Sequence, residues 1–400
     1  LHPRVRRQRQ MCIRDSSNAI SFSNKKSGNL EALKDRYMDL TVYPKQTLTV
    51  KRIFGLESKQ MEARVHLPRY TVLKIKEIHP YAEIHMLVRN EQQGDFVKNI
   101  GLAEEYYELD VTGENITKIF SVLLKIKKQK YDIAYAFGQS PRGWDVLLLK
   151  LGGCQKVISI KHEKPLCGKY MEIDVSNCVH RVEQHLKCVG VTNTLKPQEA
   201  LISLPEDFDE SVRKKYIINT DKKRIGVCFG TGDFFYRKGL KKIFYNAKEW
   251  ESPKFYKLIK NLEKHGYQVI LFGGKKEAET LNEKQLSDEL INLTGKLTLL
   301  ETVALLKQCS VVVGADTGIM HCAAAVGTST VTIFGATDEK IIGPYSQLAH
   351  YVTNKECTCR PCYGTREYKI RNCKKRECLL GISEQEVLNK IIDIIEEKNE

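Results

Sequence analysis

Residues 310–346 carry the pattern that most narrows the folds open to this chain. An apolar, β-branched run at 310–313 is followed by a turn, by an alanine-rich helical stretch, and by a second apolar run at 330–334. Two strands joined by a helix in this way are typical of a parallel sheet with crossover helices. The pattern therefore predicts an α/β fold in this region.

The turn between the first run and the helix is a candidate ligand site. It reads Asp316-Thr317-Gly318, and His321 follows one turn into the helix. Open α/β sheets bind ligands at the carboxyl ends of their strands, and N–H groups at a helix N-terminus favour an anion such as phosphate. We predict that this turn and His321 bind phosphate. The alternative is that Asp316 or Thr317 only caps the helix and that His321 is satisfied locally.

The same alternation of strands and helices runs through most of the chain. Strand-like runs lie at 48–54, 83–88, 131–137, 156–160, 225–229, 268–272, 310–313 and 330–334. Helical patterns lie at 68–78, 114–129, 143–152, 177–190, 252–265, 277–287, 298–308, 317–326 and 384–398. Two successive series of this kind predict two Rossmann-like domains with a cleft between them. The last helix is amphipathic, and we expect it to pack back across the first domain.

The turn region also resembles a known family. The run D-T-G-I-M-H-C-A-A-A-V-G-T from Asp316, followed by F-G-A-T-D and G-P-Y, resembles glycosyltransferase family 9, the family of the ADP-heptose:lipopolysaccharide heptosyltransferases. The resemblance implies the GT-B fold and an inverting, metal-independent transfer of heptose. The donor implied is an ADP-activated heptose, and the acceptor is a lipopolysaccharide inner-core glycolipid. No cofactor and no metal are expected.

We divide the chain into six segments. Residues 1–16 hold five Arg and one Asp without apolar periodicity, and we interpret them as a non-native extension. The other segments are a helical or disordered lead-in at 17–46, an N-terminal Rossmann-like acceptor-binding domain at 47–200, a linker at 201–221, a C-terminal Rossmann-like nucleotide-sugar-binding domain at 222–350, and a Cys-rich loop with a C-terminal helix at 351–400.

Lys248 is the second candidate site residue. The segment K-E-W that it opens resembles the family's K-x-W segment, whose lysine contacts the donor phosphate. A compact cation suits the neutralisation of a departing diphosphate. Residues 232–247 look like an insertion before this motif, so Lys238, Lys241 or Lys242 is an alternative. A solvated surface lysine is the other interpretation.

Two more donor contacts follow from the ends of predicted strands. Thr231 follows Gly230 in the expected phosphate-side turn. Glu277 comes three residues after a Gly-Gly turn at 273–274, where the family carries an acidic residue that is thought to bind the ribose hydroxyls, as in dinucleotide folds. Glu279 is the rival for this role, and an ordinary charged first turn of a helix is the alternative.

The catalytic base departs from the family pattern. Inverting transfer needs a carboxylate to take the proton of the acceptor hydroxyl, and the family places an aspartate in a Gly-Asp loop six residues before a proline. Counting back six from Pro68 gives Glu62, with Glu57 as competitor and an ordinary surface glutamate as the alternative. The Gly-Asp pair is missing. Either the base has changed identity, or the chain has reduced or lost activity.

The charge of the chain suggests anionic partners. The net charge is +15, from 64 basic and 49 acidic residues, and no apolar run approaches the roughly 18 residues of a membrane span. The partners expected are a nucleotide sugar and the anionic lipid A–core glycolipid. The expected location is cytoplasmic, peripheral on the cytoplasmic face of the inner membrane. Nucleic acid is not expected, because no reader motif is present.

Five of the thirteen cysteines cluster near the C-terminus. They are Cys357, Cys359, Cys362, Cys373 and Cys378. A zinc site or a disulfide is one interpretation, but family members often carry cysteines here. We predict no metal and no role in catalysis for this cluster.

Two other functions fit the same sequence. A sugar-nucleotide epimerase shares the two-domain architecture and would turn over donor without acceptor. A binding protein that has lost catalysis would bind ADP-sugar without any turnover, and the altered base region is compatible with this alternative.

Overall fold

The computed structural model describes residues 47–51, 66–88, 90–109, 116–137, 143–163, 165–191, 201–216, 221–230, 235–238, 241–244, 248–363 and 376–397. These residues form two six-stranded sheets and one two-stranded hairpin. The predicted α/β alternation is confirmed. No helix within these ranges is both long enough and apolar enough to span a bilayer.

The first sheet has the winding of a Rossmann domain. Its strands pair in parallel in the order β3-β2-β1-β4-β5-β6, which is the order of a doubly wound sheet. In chain order the elements are β1 (Thr47–Lys51), α1 (His66–Ile78), β2 (Glu83–Val88), α2 (Glu91–Asn99), β3 (Glu105–Glu108), α3 (Ile116–Gln129), β4 (Ile133–Ala136), α4 (Trp144–Leu151), β5 (Lys156–Ile160), β6 (Met171–Ile173) and α5 (Arg181–Cys188).

The second sheet repeats this winding. Its parallel order is β11-β10-β7-β12-β13-β14. The elements are α6 (Glu206–Lys215), β7 (Arg224–Cys228), β8 (Phe235–Lys238), β9 (Lys241–Phe244), α7 (Ser252–Lys264), β10 (Gln268–Phe272), α8 (Lys275–Thr280), a 3-10 turn (Glu283–Gln285), β11 (Ile291–Asn292), α9 (Leu299–Lys307), β12 (Val311–Ala315), α10 (Gly318–Ala325), β13 (Ser329–Phe334), α11 (Glu339–Ile342), β14 (Ala349–Thr353), α12 (Glu377–Leu380) and α13 (Glu384–Glu397).

The central strands of the second sheet are completely buried. Every residue of β12 and of β13 is buried, as expected for parallel strands that helices cover on both faces. Gly314 in β12 stands opposite Cys228 in β7, and a Cβ on Gly314 would lie 2.6 Å from the Cβ of Cys228. The glycine therefore permits the close approach of the two strands that carry the candidate site.

The C-terminal helix α13 corrects one prediction. Its buried stripe lies in the core that β7, β12, β13 and α7 form, and consists of Val387, Leu388, Ile391, Ile394 and Ile395. The expectation that this helix packs across the first domain is therefore wrong. The amphipathic pattern correctly predicts the helix and its apolar stripe. It does not indicate which apolar surface of the protein the stripe packs against.

The segment 201–221, predicted as a linker, contains the helix α6. Acidic residues occupy its first turn and basic residues its last turn, which suits the helix dipole. Salt bridges tie it to α9, from Lys307 to Asp209 at 2.5 Å and from Lys215 to Glu301 at 2.6 Å. The exact domain boundaries stay a prediction.

Residues 232–247, predicted as an insertion, contain the antiparallel hairpin of β8 and β9. Its register pairs Phe235 with Phe244 and Lys238 with Lys241. The hairpin stands apart from both parallel sheets in the pairing pattern. A separate hairpin between β7 and α7 is consistent with the predicted insertion at this point.

Two side chains, one in α1 and one at the start of α5, form hydrogen bonds to the loop that follows α11. The hydroxyl of Tyr70 in α1 donates to the carbonyl of Tyr345 at 2.7 Å. The Nε2 of His180, the N-cap of α5, bonds to the carbonyl of Gly343 at 3.0 Å. These bonds hold the G-P-Y loop against α1 and α5.

Both sheets belong to one compact unit, which comprises Thr47–Lys74 and Glu83–Glu400. A second unit comprises Leu1–Gln46 and Ile75–Ala82. Of the second unit, the structure describes Ile75–Ala82, the end of α1 and a turn in which the amide of His79 donates to the carbonyl of Ile75 at 2.8 Å.

Candidate functional site

The candidate site lies where the winding of the second sheet reverses. β7 and β12 are neighbours, but the chain proceeds from β7 to one edge of the sheet and from β12 to the other. Ligands of open α/β sheets bind outside the carboxyl ends of the strands at such a switch point. Gly230 follows the end of β7 and Asp316 follows the end of β12, so the predicted turns meet at this point.

Lys248 and Asp316 form a buried ion pair at this edge. Lys248 Nζ donates to Asp316 Oδ2, and Thr337 Oγ1 donates to the same oxygen at 2.9 Å. Lys248 is 6% exposed and Asp316 is 4% exposed. The interpretation of Lys248 as a solvated surface lysine is therefore wrong. Its proximity to Asp316 was not predicted.

The surroundings keep the Asp316 carboxyl ionised. Burial by itself would raise its pKa, but the charges of Lys248 and His321 and the hydrogen bonds from Lys248 and Thr337 outweigh burial. The pKa of Asp316 consequently lies below its ordinary value. The Lys248 ammonium group and the Asp316 carboxylate therefore face each other as an ion pair at the end of β12.

The helix α10 begins directly after this pair. Thr317 is its N-cap, in an extended conformation and without a capping hydrogen bond from its side chain. The carboxylate of Asp316 is engaged by Lys248 and Thr337, so the alternative of a simple Asp or Thr cap is wrong. The Thr317 hydroxyl is buried, and it neither donates nor accepts a hydrogen bond within the described part of the chain. First-turn N–H groups and this hydroxyl can therefore serve a ligand.

His321 lies one turn into α10 and is buried. It is close enough to Asp316 for its charge to lower the pKa of that carboxyl. The structure thus brings Lys248, Asp316, Thr317, Gly318 and His321 together at the end of β12. Their roles toward a donor stay a prediction.

Glu277 is held beside the end of β7. Its carboxylate accepts from the amide of Gly274, the N-cap of α8, at 2.9 Å. Gly230 has a φ of +80°, and a Cβ there would lie 2.4 Å from Cγ of Glu277. The side chain therefore packs on the Gly230 turn, whereas Glu279 is exposed. This placement favours Glu277 over Glu279 as the group that faces the switch point.

The Cys-rich segment covers the other side of the ion pair. The amides of Cys362 and Tyr363 both donate to the carbonyl of Ala336 at 2.9 Å, in the turn that carries Thr337. The Tyr363 ring centroid lies 5.5 Å from Lys248 Nζ, within the range of a cation–π contact. The segment therefore forms one wall of the site.

The cysteines of this segment show no metal-binding arrangement where the structure describes them. The Sγ atoms of Cys357 and Cys359 lie 3.4 Å apart. Across the described ranges, no three His, Cys, Asp or Glu side chains are grouped so that they could hold a metal ion. Cys373 lies outside these ranges, as do Thr231, Glu62 and Glu57, so the predictions for them are not tested.

Sequence reasoning missed two members of the site. Thr337 belongs to the F-G-A-T-D run at the carboxyl end of β13, and applying the strand-end rule to that strand would have found it. Tyr363 carries no local signal. Only the packing of its segment on the turn after β13 brings it to Lys248.

Comparison with solved structures identifies the fold. The heptosyltransferase II structure from E. coli, described as an ADP-heptose LPS heptosyltransferase, matches with a TM-score of 0.66 at 18% identity and covers 89% of this chain and 100% of that chain. A glycosyltransferase family 9 structure from Veillonella parvula matches with a TM-score of 0.70 at 18% identity, covering 90% of this chain and 99% of that one. The two Rossmann-like sheets thus define a protein of the GT-B fold, as the sequence predicted.

Sequence comparison then matches part of the chain to a family. Residues 239–370 match the model of glycosyltransferase family 9 (heptosyltransferase). The lipopolysaccharide heptosyltransferase 2 of Salmonella typhimurium is 28% identical over 46% of this chain and 50% of its own length. The lipooligosaccharide heptosyltransferase 2 of Haemophilus influenzae is 36% identical over 26% of this chain and 32% of its own length. The chain therefore spans half or less of these two relatives. Over residues 239–370 the chain is thus similar to glycosyltransferase family 9.

Proposed function

We propose that this protein is an inverting glycosyltransferase that moves a heptose from an ADP-activated donor to the inner core of a lipopolysaccharide precursor. The observation that carries the proposal is the buried Lys248–Asp316 pair at the N-terminus of α10. In support of it, the Lys248 side chain lies beside the first turn of α10, at the edge where open α/β sheets bind ligands and where helix N–H groups favour an anion. The match of residues 239–370 to the family model supports the reaction class, and the names of the relatives support heptose and lipopolysaccharide.

The donor contacts follow from this placement. The diphosphate of the donor binds to Lys248, to the backbone N–H groups of Thr317 and Gly318, and to His321. Glu277 binds the ribose hydroxyls, and Thr231 completes the turn after β7. Asp316 does not touch the donor in this scheme. It orients Lys248 and keeps it charged.

The reaction is a single displacement. Glu62 takes the proton of the acceptor hydroxyl, whose oxygen attacks the anomeric carbon of the heptose. The bond from that carbon to the diphosphate oxygen breaks, ADP leaves, and the configuration at the anomeric carbon is inverted. A positioned general base of this kind contributes about 10²–10⁴-fold to a rate.

The leaving ADP needs charge stabilisation, which this chain can provide with its own side chains and backbone. Negative charge develops on the diphosphate as the bond breaks. Lys248 and His321 are buried side chains at the start of α10, and preorganised groups of this kind can stabilise the developing charge. We propose that these groups act without a metal ion or other cofactor.

The acceptor implies a place in the cell. A lipid A–core precursor is anchored in a membrane, so the enzyme works as a cytoplasmic protein that binds peripherally to the inner membrane face. The net charge of +15, of which residues 1–16 contribute +4, supports an anionic surface as partner.

The test is a coupled assay with purified protein, ADP-heptose and the lipid acceptor, with and without EDTA. We expect ADP release together with a mass increase of the acceptor by one heptose, and the same rate in EDTA. Turnover of donor without acceptor would point to an epimerase or hydrolase instead. Binding of ADP-heptose without turnover, or no binding at all, would rule out the proposed reaction.

A further inference from the structure

The outward face of α3 is unusual for a helix on the surface of a globular protein. Phe120 is 60% exposed and Leu124 is 67% exposed, one helical turn apart. The inward face is apolar as well, because Ile119, Val122, Leu123 and Ile126 pack in the core of the first sheet. The exposed pair is therefore additional to what the fold requires.

Lysines surround this exposed pair. Lys125, Lys127 and Lys128 are exposed on the same helix, and Ile116–Gln129 contains no acidic residue. We call Phe120, Leu124 and these three lysines the docking face. An apolar centre with a purely basic rim is the composition of helices that lie in a membrane interface.

A neighbouring element extends the apolar surface. Leu151, the last residue of α4, is 57% exposed. Gly152 follows it and approaches Ile126 so closely that a Cβ on Gly152 would lie 2.7 Å from Cγ2 of Ile126. The end of α4 therefore lies against α3, and Leu151 adds to the apolar surface near the docking face.

We propose that the docking face binds the surface of a bilayer with anionic headgroups. Charge complementarity selects this occupant, since each lysine near such a surface adds to binding while Phe120 and Leu124 enter the boundary between headgroups and acyl chains. Nucleic acid would use the lysines but would leave the two apolar side chains exposed. The proposal rests on the proposed function in one respect, because that function gives the enzyme an acceptor anchored in a membrane. The docking face would bring the enzyme to that acceptor.

The position of α3 suits this role. The helix follows β3, so its N-terminus lies toward the carboxyl edge of the first sheet, the edge where open α/β sheets bind ligands. Phe120, in the second turn, is therefore the part of the docking face nearest to the end of the domain proposed to bind the acceptor, and Lys125, Lys127 and Lys128 lie farther from it along the helix.

The test measures binding of the full chain to vesicles of equal parts phosphatidylcholine and phosphatidylglycerol by flotation. We expect binding to these vesicles and not to pure phosphatidylcholine, with loss of binding at high salt. Lys125→Gln/Lys128→Gln should lower partitioning about thirty-fold, and Phe120→Ser/Leu124→Ser should lower it on the order of a hundred-fold. Matched controls are Lys260→Gln/Lys264→Gln on α7 and Leu380→Ser on α12, which should bind like the wild type.

Two measurements keep this inference separate from the proposed function. Transfer to a deacylated, water-soluble acceptor should be the same in wild type and docking-face variants, whereas transfer to acceptor in vesicles should fall. If neither acceptor is used, the proposed function fails and the binding data still decide the docking face. Equal binding of the variants and the wild type would overturn the proposal. So would a wild-type dimer in light scattering that Phe120→Ser/Leu124→Ser lacks, because the face would then join two copies of the chain.

Discussion

Lys248 donates a hydrogen bond to the carboxylate of Asp316, and the two side chains together are almost inaccessible to solvent. Neither could be buried alone at acceptable cost, because an isolated charge loses its hydration without compensation. The pair is also of little use for stability as such, since buried ion pairs roughly balance their desolvation. Its position at the switch point of the second sheet suggests that the protein retains it for the cation that it fixes there.

The first prediction is a double-mutant cycle on this pair. Asp316→Asn and Lys248→Met should each lower the free energy of unfolding by about 3–5 kcal/mol, because each leaves one buried charge unpaired. The double variant Lys248→Met/Asp316→Asn should recover much of that loss. Urea unfolding followed by circular dichroism measures all four proteins.

Donor binding should separate from stability in the same cycle. ADP binding, followed by calorimetry, should stay weak in the double variant although its stability is restored, since the cation that meets the diphosphate is gone. The matched control is Lys260→Met, an exposed lysine on α7. Additive stability losses, or wild-type ADP affinity in the double variant, would contradict the role assigned to the pair.

The second prediction is the pH dependence that the pair causes. The folded-state pKa of Asp316 lies below its ordinary value of 3.8. Its contribution to stability is therefore complete above the pKa of the unfolded chain and is lost as the pH falls through the lower folded pKa. The wild type should lose stability more steeply below about pH 4 than Lys248→Met/Asp316→Asn does. Urea midpoints between about pH 6 and pH 3 provide the comparison, and parallel curves would exclude the effect.

The third prediction concerns His321. His321→Ala should weaken ADP binding roughly ten- to a hundred-fold, because one hydrogen bond to a charged group is lost, and should leave the fold intact. Calorimetry measures the affinity and circular dichroism the fold. His265→Ala removes an exposed histidine at the end of α7 and should change neither. Unchanged affinity in His321→Ala would remove this residue from the phosphate site.

The sequence predicts features that depend on residues close together in the chain better than contacts between residues far apart in it. β10 and the helices α7 and α10 follow from local periodicity and turn residues, and their boundaries agree with the structure within about two residues. The meeting of Asp316 with His321 is local as well. Lys248 reaches Asp316 from 68 positions away, and only the family resemblance pointed to it.

Features that depend on tertiary packing were missed. The short helix α6 has few apolar residues and is held by salt bridges to α9, so its sequence is hard to distinguish from a charged linker. The helix α13 has a clear apolar stripe, but which of two sheets it covers depends on complementarity of whole surfaces. Tyr363 reaches Lys248 through the same kind of long-range packing.

The fourth prediction tests Glu277 against its neighbour. Glu277→Gln should weaken ADP binding by roughly ten-fold, the size of one hydrogen bond to a charged group, because the uncharged side chain meets the ribose hydroxyls less strongly. Glu279→Gln, two residues away and exposed, is the matched control and should bind ADP normally. Calorimetry with 2′,3′-dideoxy-ADP locates the contact: if Glu277 binds the ribose, this ligand should bind wild type and Glu277→Gln equally. A persistent difference would assign Glu277 to another part of the nucleotide or to the Gly230 turn alone.

The last prediction concerns the base. Glu62→Gln keeps the size of the side chain but removes its ability to accept a proton, so ADP-heptose binding should survive while transfer falls about 10²–10⁴-fold. Glu57→Gln is the control and should have little effect on either quantity, since a glutamate that does not meet the acceptor hydroxyl has no proton to take. Single-turnover transfer rates separate the chemical step from binding. If transfer collapses in Glu57→Gln instead, the base is assigned five positions earlier in the sequence. Full activity in both variants would place the base elsewhere in the chain.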